Sequence, residues 1–274
     1  MKRLLTVLLA LPVALGVHAQ NLTIVHFNDT HSHLDPLRSG DLEGHAGVIE
    51  RAATIDSIRV ADGAKNVLLL HGGDFSQGTS YFTVLKGDLE VELMNAMGYD
   101  CVTLGNHEFD NGIEELTRRV KNLKCPVVCA NYDFSSFEAG QYIKPYAILE
   151  KGGMKIGIIG LLTDITRVVA RATADRLPKF DTVEVCNKWA DYLKNEAGCD
   201  LVIALTHIGY AGESGVNDTQ LVPLTRYVDL VVGGHSHTVL SKPSYKDNLD
   251  GKPIPIVQDG SWGITTGVLH VTKN

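Results

Sequence analysis

The sequence predicts an α/β protein in which helices cover the faces of a largely parallel β-sheet. Short runs rich in β-branched residues alternate with longer segments that carry apolar residues at helical spacing. This alternation is typical of β-α-β units, whose strands pair in parallel and are buried on both faces. The chain has 274 residues, enough for one domain with a large core, and nine candidate strands predict more than one sheet.

The candidate strands are short apolar runs bounded by glycine or polar residues, as expected for strands buried on both faces. In chain order they cover residues 22–27, 66–71, 100–104, 126–130, 155–161, 200–207, 228–234, 254–258 and 267–272. Strands at the centre of a sheet need no polar face, so the continuous apolar runs favour central positions for most of them.

Amphipathic segments separate several of these strands and predict helices. In the first segment, Val48, Ala52 and Ile55 fall on one side of a helix. The predicted helices cover residues 46–61, 81–97, 112–123 and 182–197. The remaining long stretches show neither the helical nor the strand pattern of apolar residues, and we predict that they are surface loops. These loops cover residues 133–144, 209–219 and 241–253.

The charge balance is acidic and limits the classes of partner. The chain carries 25 Lys and Arg against 32 Asp and Glu, a formal net charge of −7. Nucleic-acid polymers and anionic membranes require a basic surface, so the sequence predicts neither as a partner. A small anionic substrate stays possible where a bound cation reverses the local charge.

Residues 1–20 have the pattern of a secretory signal peptide. Lys2 and Arg3 precede an apolar stretch and a small-residue cleavage pattern that ends at Ala19. The apolar stretch of 14 residues is short for crossing a bilayer, which disfavours the alternative of an uncleaved anchor. We therefore expect an exported protein, periplasmic or secreted, with one mature domain over residues 21–274 and no membrane span after cleavage.

Five cysteines are an odd number for an exported chain, so at least one is expected to lack a partner within the chain. We expect them to act as small buried apolar side chains. Cys125 and Cys129 could instead form a bridge or ligate a metal. The spacing alone does not assign a disulfide.

Polar side chains with metal-binding capacity follow five of the candidate strands. Ligands of open α/β sheets collect beyond the carboxyl ends of the strands, so these side chains are expected to converge. The five segments are Asn28-Asp29-Thr30-His31, Gly72-Gly73-Asp74, Gly105-Asn106-His107-Glu108-Phe109-Asp110, His207 and Gly233-Gly234-His235-Ser236-His237.

The residue types in these segments favour divalent cations. Asp and His donors suit Zn, Mn, Fe or Co, and the absence of cysteine from the motifs disfavours a closed structural zinc or iron–sulfur site. One bridging carboxylate allows two ions to bind side by side. Two divalent ions would outweigh the charges of Asp29 and Asp74, which leaves a cationic pocket that suits a phosphate ester.

The ordered motifs resemble the signature of the calcineurin-like metallophosphoesterases. The longer strings HFNDTHSHL, LLHGGDFSQG, TLGNHEFDNG and VVGGHSHT are most similar to the catalytic domain of the 5'-nucleotidase family, and the resemblance runs from about residue 22 to the C-terminus. The resemblance implies a four-layer α-β-β-α sandwich, in which two mixed sheets pack face to face and are flanked by helices.

The resemblance also implies a role for each residue. His107 would stabilise the transition state and assist the leaving oxygen, with Asp110 orienting its imidazole. A hydroxide held between the two ions would attack phosphorus in line. The implied ligands are Asp29, His31, Asp74 and His237 for one ion, and Asp74, Asn106, His207 and His235 for the other, with Asp74 bridging.

The implied activity is hydrolysis of phosphate esters, with nucleoside 5'-monophosphates or 2',3'-cyclic phosphodiesters as substrates. In the resembled 5'-nucleotidases a second, C-terminal domain contacts the base, and this sequence ends where the catalytic domain would end. We expect either a separate polypeptide that supplies that domain or a substrate small enough not to need it. The alternatives are a small-substrate phosphatase, a sulfur-ester hydrolase and a non-catalytic metal-binding subunit.

Other candidate residues near these motifs receive no catalytic role. His26 and His71 lie inside strand patterns, which favours packing, or contact with a metal-ligating side chain, over direct metal binding. His33 is predicted in a surface loop without function. Glu108 has no ligand role in the resembled family and is predicted to be structural.

Overall fold

The computed structural model describes residues 20–166, 169–212 and 215–273. Its strands are β1 (Gln20–Phe27), β2 (Val67–His71), β3 (Cys101–Thr103), β4 (Val127–Val128), β5 (Ile143–Lys144), β6 (Tyr146–Lys151), β7 (Met154–Leu162), β8 (Leu201–His207), β9 (Leu230–Val232), β10 (Ser244–Asp247), β11 (Pro253–Val257) and β12 (Gly267–Lys273). Its α-helices are α1 (Gly47–Asp62), α2 (Ser80–Leu85), α3 (Asp88–Met97), α4 (Gly112–Asn122), α5 (Arg171–Ala174), α6 (Thr182–Asp191) and α7 (Asp218–Leu221).

The strands form two mixed sheets of six strands each. The first sheet has the order β12-β1-β2-β3-β4-β5, and the second has the order β10-β11-β9-β8-β7-β6. Only the outer pairs β1 with β12, β6 with β7 and β10 with β11 are antiparallel among the described strands. The central strands of both sheets run in parallel, as the buried apolar runs predict.

The two sheets pack face to face, and alternate residues of one strand enter different cores. On β1, Leu22 and Ile24 point to the second sheet, whereas Val25 and Phe27 point to the helices. The central core also contains Ile156 of β7 and further apolar residues from both sheets. This arrangement confirms the predicted four-layer α-β-β-α sandwich.

Helices close the two outer faces. Helices α1, α3 and α4 cover the first sheet and bury Ile55, Met94 and Leu116. Helix α6 covers the second sheet and buries Cys186 and Ala190. Each helix therefore uses the apolar face that the sequence pattern shows.

All nine predicted strands are present, but the boundaries and the count differ in places. The short strands β5 and β10 lie in stretches predicted as loops, and β6 was not predicted. The helix predicted over 81–97 is two helices, because Lys86 and Gly87 between them have φ angles of 52° and 90°. The segment after α6 continues as a π-helical turn, Tyr192–Glu196.

The cysteines act as the packing residues that the sequence favoured. All five are free, and four of them are buried, while Cys125 is partly exposed. Burial raises the pKa of the Cys186 thiol to about 12, so it behaves as an apolar group at neutral pH.

The predicted signal peptide lies outside the described residues, apart from Gln20 at the start of β1. No helix in the described part of the chain combines the length and apolar character needed to cross a membrane.

Candidate functional site

The predicted ligands meet at one edge of the sandwich, where the carboxyl ends of strands from both sheets come together. The first sheet contributes the residues after β1, β2 and β3, and the second contributes His207 at the end of β8 and the loop after β9. The side chains fall into two groups, and within each group the potential ligand atoms all lie within 4.8 Å of one another. The outer group is Asp29, His31 and His237, and the inner group is Asp74, His207 and His235.

Asp29 is held so that one carboxylate oxygen remains for a cation. Its Oδ2 accepts hydrogen bonds from Asn28 Nδ2 at 2.7 Å and from the His235 backbone N–H at 2.8 Å. Its Oδ1 is buried without a hydrogen-bond partner and lies 3.3 Å from His237 Nε2. A buried carboxylate oxygen left in this way costs free energy unless a cation or proton satisfies it.

Asp74 lies between the two groups. Its Oδ1 accepts a hydrogen bond from the His107 backbone N–H at 2.8 Å. Its Oδ2 lies 3.0 Å from His207 Nε2 and 3.8 Å from His31 Nε2. Gly105 permits this approach, because a Cβ at that position would collide with the Asp74 carboxylate. One carboxylate oxygen therefore faces imidazoles of both groups.

His207 is fully buried and its tautomer is fixed. Its Nδ1 lies 2.7 Å from the Gly72 carbonyl oxygen, which can only accept, so Nδ1 carries the proton and donates. Burial alone would lower the pKa of His207, but the carboxylates of Asp74 and Asp29 outweigh burial and raise it to about 10. The Nε2 atom is thus directed at the two carboxylates.

His31 and His237 face each other across the outer group. Their Nε2 atoms are 3.0 Å apart. Two imidazole nitrogens at this distance require a proton or a cation between or beside them, because two lone pairs would otherwise repel. The Asp29 carboxylate, 3.3 Å from Nε2 of His237, is the main cause that raises the pKa of His237.

Backbone conformation also marks this edge. Five of the predicted ligands have positive φ angles, a conformation that residues other than glycine adopt rarely and at a cost. These residues are Asp29, His31, Asp74, His235 and His237. Strain of this kind clusters at functional sites, where the surrounding structure holds it in place.

Asn106 lines the cleft with Asp74 and His235 of the inner group. The Asn106 side-chain oxygen is buried and has no hydrogen-bond partner among the described residues. The ring of His235 lies 5.2 Å from that of His207, measured between centroids. Both residues line the same cleft as His31 and His107.

His107 and Asp110 form the pair that the sequence predicts. His107 Nδ1 lies 2.9 Å from Asp110 Oδ2, and this hydrogen bond is the main cause that raises the pKa of His107. Both side chains remain partly exposed, with 31% and 24% of their surface accessible. His107 thus lines the cleft, with Asp110 hydrogen-bonded to its Nδ1.

Glu108 is structural, as predicted. Its carboxylate is buried and accepts hydrogen bonds from the backbone N–H groups of Asp74, Ser76 and Gly105 and from the Ser76 hydroxyl, at 2.6–3.2 Å. It joins the loop after β2 to the loop after β3, which fixes Asp74 beside Asn106.

The sequence missed part of the cleft wall. The cleft has a volume of about 480 Å³, and His33, Gln77 and Trp262 line it beside the predicted residues. His33 was predicted in a surface loop without function, and Trp262 was not singled out. A larger groove of about 840 Å³, between residues 129–145 and α6, lies away from both groups.

The chain is similar in sequence to known proteins. The model of the calcineurin-like phosphoesterase family matches residues 22–239. The chain is 38% identical to a snake venom 5'-nucleotidase of Naja atra, covering 92% of this chain and 50% of the relative. It is 35% identical to human 5'-nucleotidase, covering 97% of this chain and 49% of the relative.

A solved structure shows the same architecture. The 5'-nucleotidase precursor from Thermus thermophilus superposes with a TM-score of 0.83 at 35% identity, over 93% of this chain and 52% of that chain. The chain thus spans about half the length of each relative that it matches.

Proposed function

The chain belongs to the calcineurin-like phosphoesterase family of metal-dependent ester hydrolases, and we propose that it hydrolyses phosphate monoesters, with nucleoside 5'-monophosphates as the first class. The observation that carries this proposal is the position of Asp74, one oxygen of which faces imidazoles of both side-chain groups. Members of the family use two divalent ions.

The donor set fits two such ions. Asp29 Oδ1, Asn106 Oδ1 and His207 Nε2 are buried and lack hydrogen-bond partners among the described residues. Each of these oxygen and nitrogen atoms is of a type that binds divalent transition metals. We propose as ligands Asp29, His31, Asp74 and His237 for the outer ion, and Asp74, Asn106, His207 and His235 for the inner ion, with the metal drawn from Zn, Mn, Fe or Co. When bound, the ions would supply Lewis-acid stabilisation of the phosphoryl charge and activation of water.

The lining of the cleft explains why cations are needed. No Arg or Lys occurs among the described residues that line it. A phosphate dianion entering there would meet the Asp74 carboxylate and no Arg or Lys side chain, so bound cations would supply the positive charge that holds it.

His107 is proposed to assist the leaving group. Its backbone N–H donates to Asp74, which fixes the residue at the cleft, and Asp110 favours the protonated imidazole. A protonated imidazole can donate to the leaving oxygen as the ester bond breaks. A purely metal-binding subunit has no need for this pair, which disfavours that alternative.

Nucleotide selectivity is a separate proposal. The relatives extend well beyond the region that this chain matches. We propose that a separate polypeptide corresponding to that additional region contributes contacts to the base. Addition of such a partner would lower the KM for nucleotides, and an unchanged KM would contradict this proposal.

Export is proposed from the N-terminal pattern and agrees with a relative from venom. N-terminal sequencing of protein from its native host would test it. A mature chain that begins close to residue 21 is expected, and an intact Met1 would contradict cleavage.

The substitution His107→Asn tests the proposed chemistry. We expect both ions to stay bound while turnover of an aryl phosphate falls by about 10²-fold or more, because the variant cannot transfer the proton. His45→Asn is the matched control, since the His45 side chain is 66% exposed and lies outside the cleft. Metal analysis and steady-state kinetics give the readout, and unchanged turnover would remove His107 from the mechanism.

A further inference from the structure

The turn that follows β11 brings a tryptophan to the rim of the cleft. Trp262 has a φ angle of 63°, and the glycines at positions 260 and 263 have φ angles of 80° and 65°. A bulky side chain in this region of conformational space is a true outlier. An outlier next to a candidate active site motivates a search for its function.

The turn is held from several sides. The Trp262 backbone N–H donates to the Asp29 carbonyl at 2.7 Å, and Asn28 Nδ2 donates to the Gly260 carbonyl at 2.7 Å. The buried guanidinium of Arg51 packs under Gly263, where a Cβ would collide with it. The tryptophan is thus tied to the same backbone that carries the outer ligand group.

The indole ring is stacked on one face, and the tryptophan residue is partly exposed. It stacks on His33 with a centroid distance of 4.4 Å and an interplanar angle of 14°. His33 is fixed in turn, because its Nδ1 donates to the His31 carbonyl at 2.9 Å. Trp262 remains 39% exposed and lines the cleft with His31 and His237.

We infer that Trp262, backed by His33, is the surface on which the planar ring of the substrate's leaving group stacks while its phosphate occupies the ion site. This inference rests on the proposed phosphoesterase function and adds a specificity-determining residue to it. Aromatic rings and nucleobases stack with little dependence on base identity, because every base has a π-face. An indole already oriented by His33 loses little conformational entropy on binding. The competing explanation is that Trp262 only packs the turn.

Kinetics with two substrates separate these explanations. Adenosine 5'-monophosphate and ribose 5-phosphate share the phosphate and sugar and differ by the base. For Trp262→Ala we expect kcat/KM for the nucleotide to fall about 10-fold further than kcat/KM for ribose 5-phosphate, mainly through KM. Trp262→Phe is expected to recover most of the loss. An equal loss for both substrates, or no loss for either, would overturn the inference.

Fluorescence provides a readout that does not need turnover. The chain has two tryptophans, so in Trp189→Phe the emission comes from Trp262 alone. Trp189 packs against Tyr146 and Tyr192 away from the cleft, so this variant also serves as the matched control for loss of a tryptophan.

With zinc-loaded protein we expect saturable quenching by adenosine 5'-monophosphate and none by ribose 5-phosphate. Absence of saturable quenching by the nucleotide overturns the inference. If the enzyme hydrolyses neither ester, the proposed function fails, and the quenching result still decides the role of Trp262.

Discussion

Two buried histidines in this molecule have pKa values that are shifted in opposite directions. His207 lies at the carboxyl end of β8, and its pKa is raised to about 10. His26 lies inside β1, packs against Gly267, and burial lowers its pKa to about 4. Both rings are removed from water, so burial alone does not explain the difference.

The difference lies in the neighbouring charges. His207 Nε2 is 3.0 Å from Asp74 and 3.8 Å from Asp29, whereas His26 Nδ1 has no hydrogen-bond partner among the described residues. Desolvation disfavours a charged imidazole in both places, and only the carboxylates at the sheet edge reverse it. That edge therefore stabilises positive charge, and divalent cations would satisfy it better than protons.

The largest effect is expected from removing the charge that the two groups share. Asp74→Asn should release both ions and lower turnover by about 10³-fold or more, because bound ions contribute several kcal/mol of transition-state stabilisation. Metal content and kcat give the measurement. Asp56→Asn, at a position 76% exposed on α1, is the control. Two tightly held ions in Asp74→Asn would contradict the bridging role.

The lowered pKa of His26 predicts that the stability of the fold depends on pH. His26 has a pKa of about 4 in the folded protein and about 6.5 when unfolded, so the unfolded chain binds the proton more readily. Its contribution is full above pH 6.5 and is lost as the pH falls toward 4, by about 3 kcal/mol in total.

His26→Gln should therefore flatten the pH dependence of the free energy of unfolding in that window. Urea denaturation at several pH values measures this, with His45→Gln as the exposed control. Parallel pH profiles for wild type and His26→Gln would show that His26 does not titrate as its burial requires.

A smaller and more local effect is expected at Asn28. Its amide fixes Asp29 Oδ2, so that Oδ1 faces the outer group. Asn28→Ala should weaken the outer ion by about 10- to 100-fold, the usual cost of losing a residue that orients a ligand, and spare the inner ion.

Titration of metal content against a chelator would show this effect. Asn66→Ala is the control, because the Asn66 amide donates to the Asp62 carbonyl, far from the cleft. Loss of the inner ion first would reverse the assignment of Asn28 to the outer group.

The metal-ligand candidates could be predicted from the sequence, whereas the other residues that line the cleft could not. Asp29, Asp74 and His207 follow strand ends, and parallel strands bring their carboxyl ends to one edge, so chain order alone places them together. Trp262 reaches the cleft through a turn with three positive φ angles. No periodicity encodes such a turn, so the position of Trp262 was not predictable.

The strands of the fold also divide into those that could be predicted from the sequence and those that could not. Long apolar runs such as β7 and β8 were predicted, because strands buried on both faces contain little besides apolar residues. The edge strand β10 is largely exposed and has the sequence SYKD, which carries no strand pattern. The two-residue strand β5 is too short to show a period.

Anomalous diffraction from crystals grown with Mn²⁺ would show whether two ions bind here and share the Asp74 carboxylate. We expect two peaks, one in contact with Asp29, His31 and His237, the other in contact with Asn106, His207 and His235, and Asp74 in contact with both. A single peak, or a pair of peaks that Asp74 does not join, would contradict this expectation.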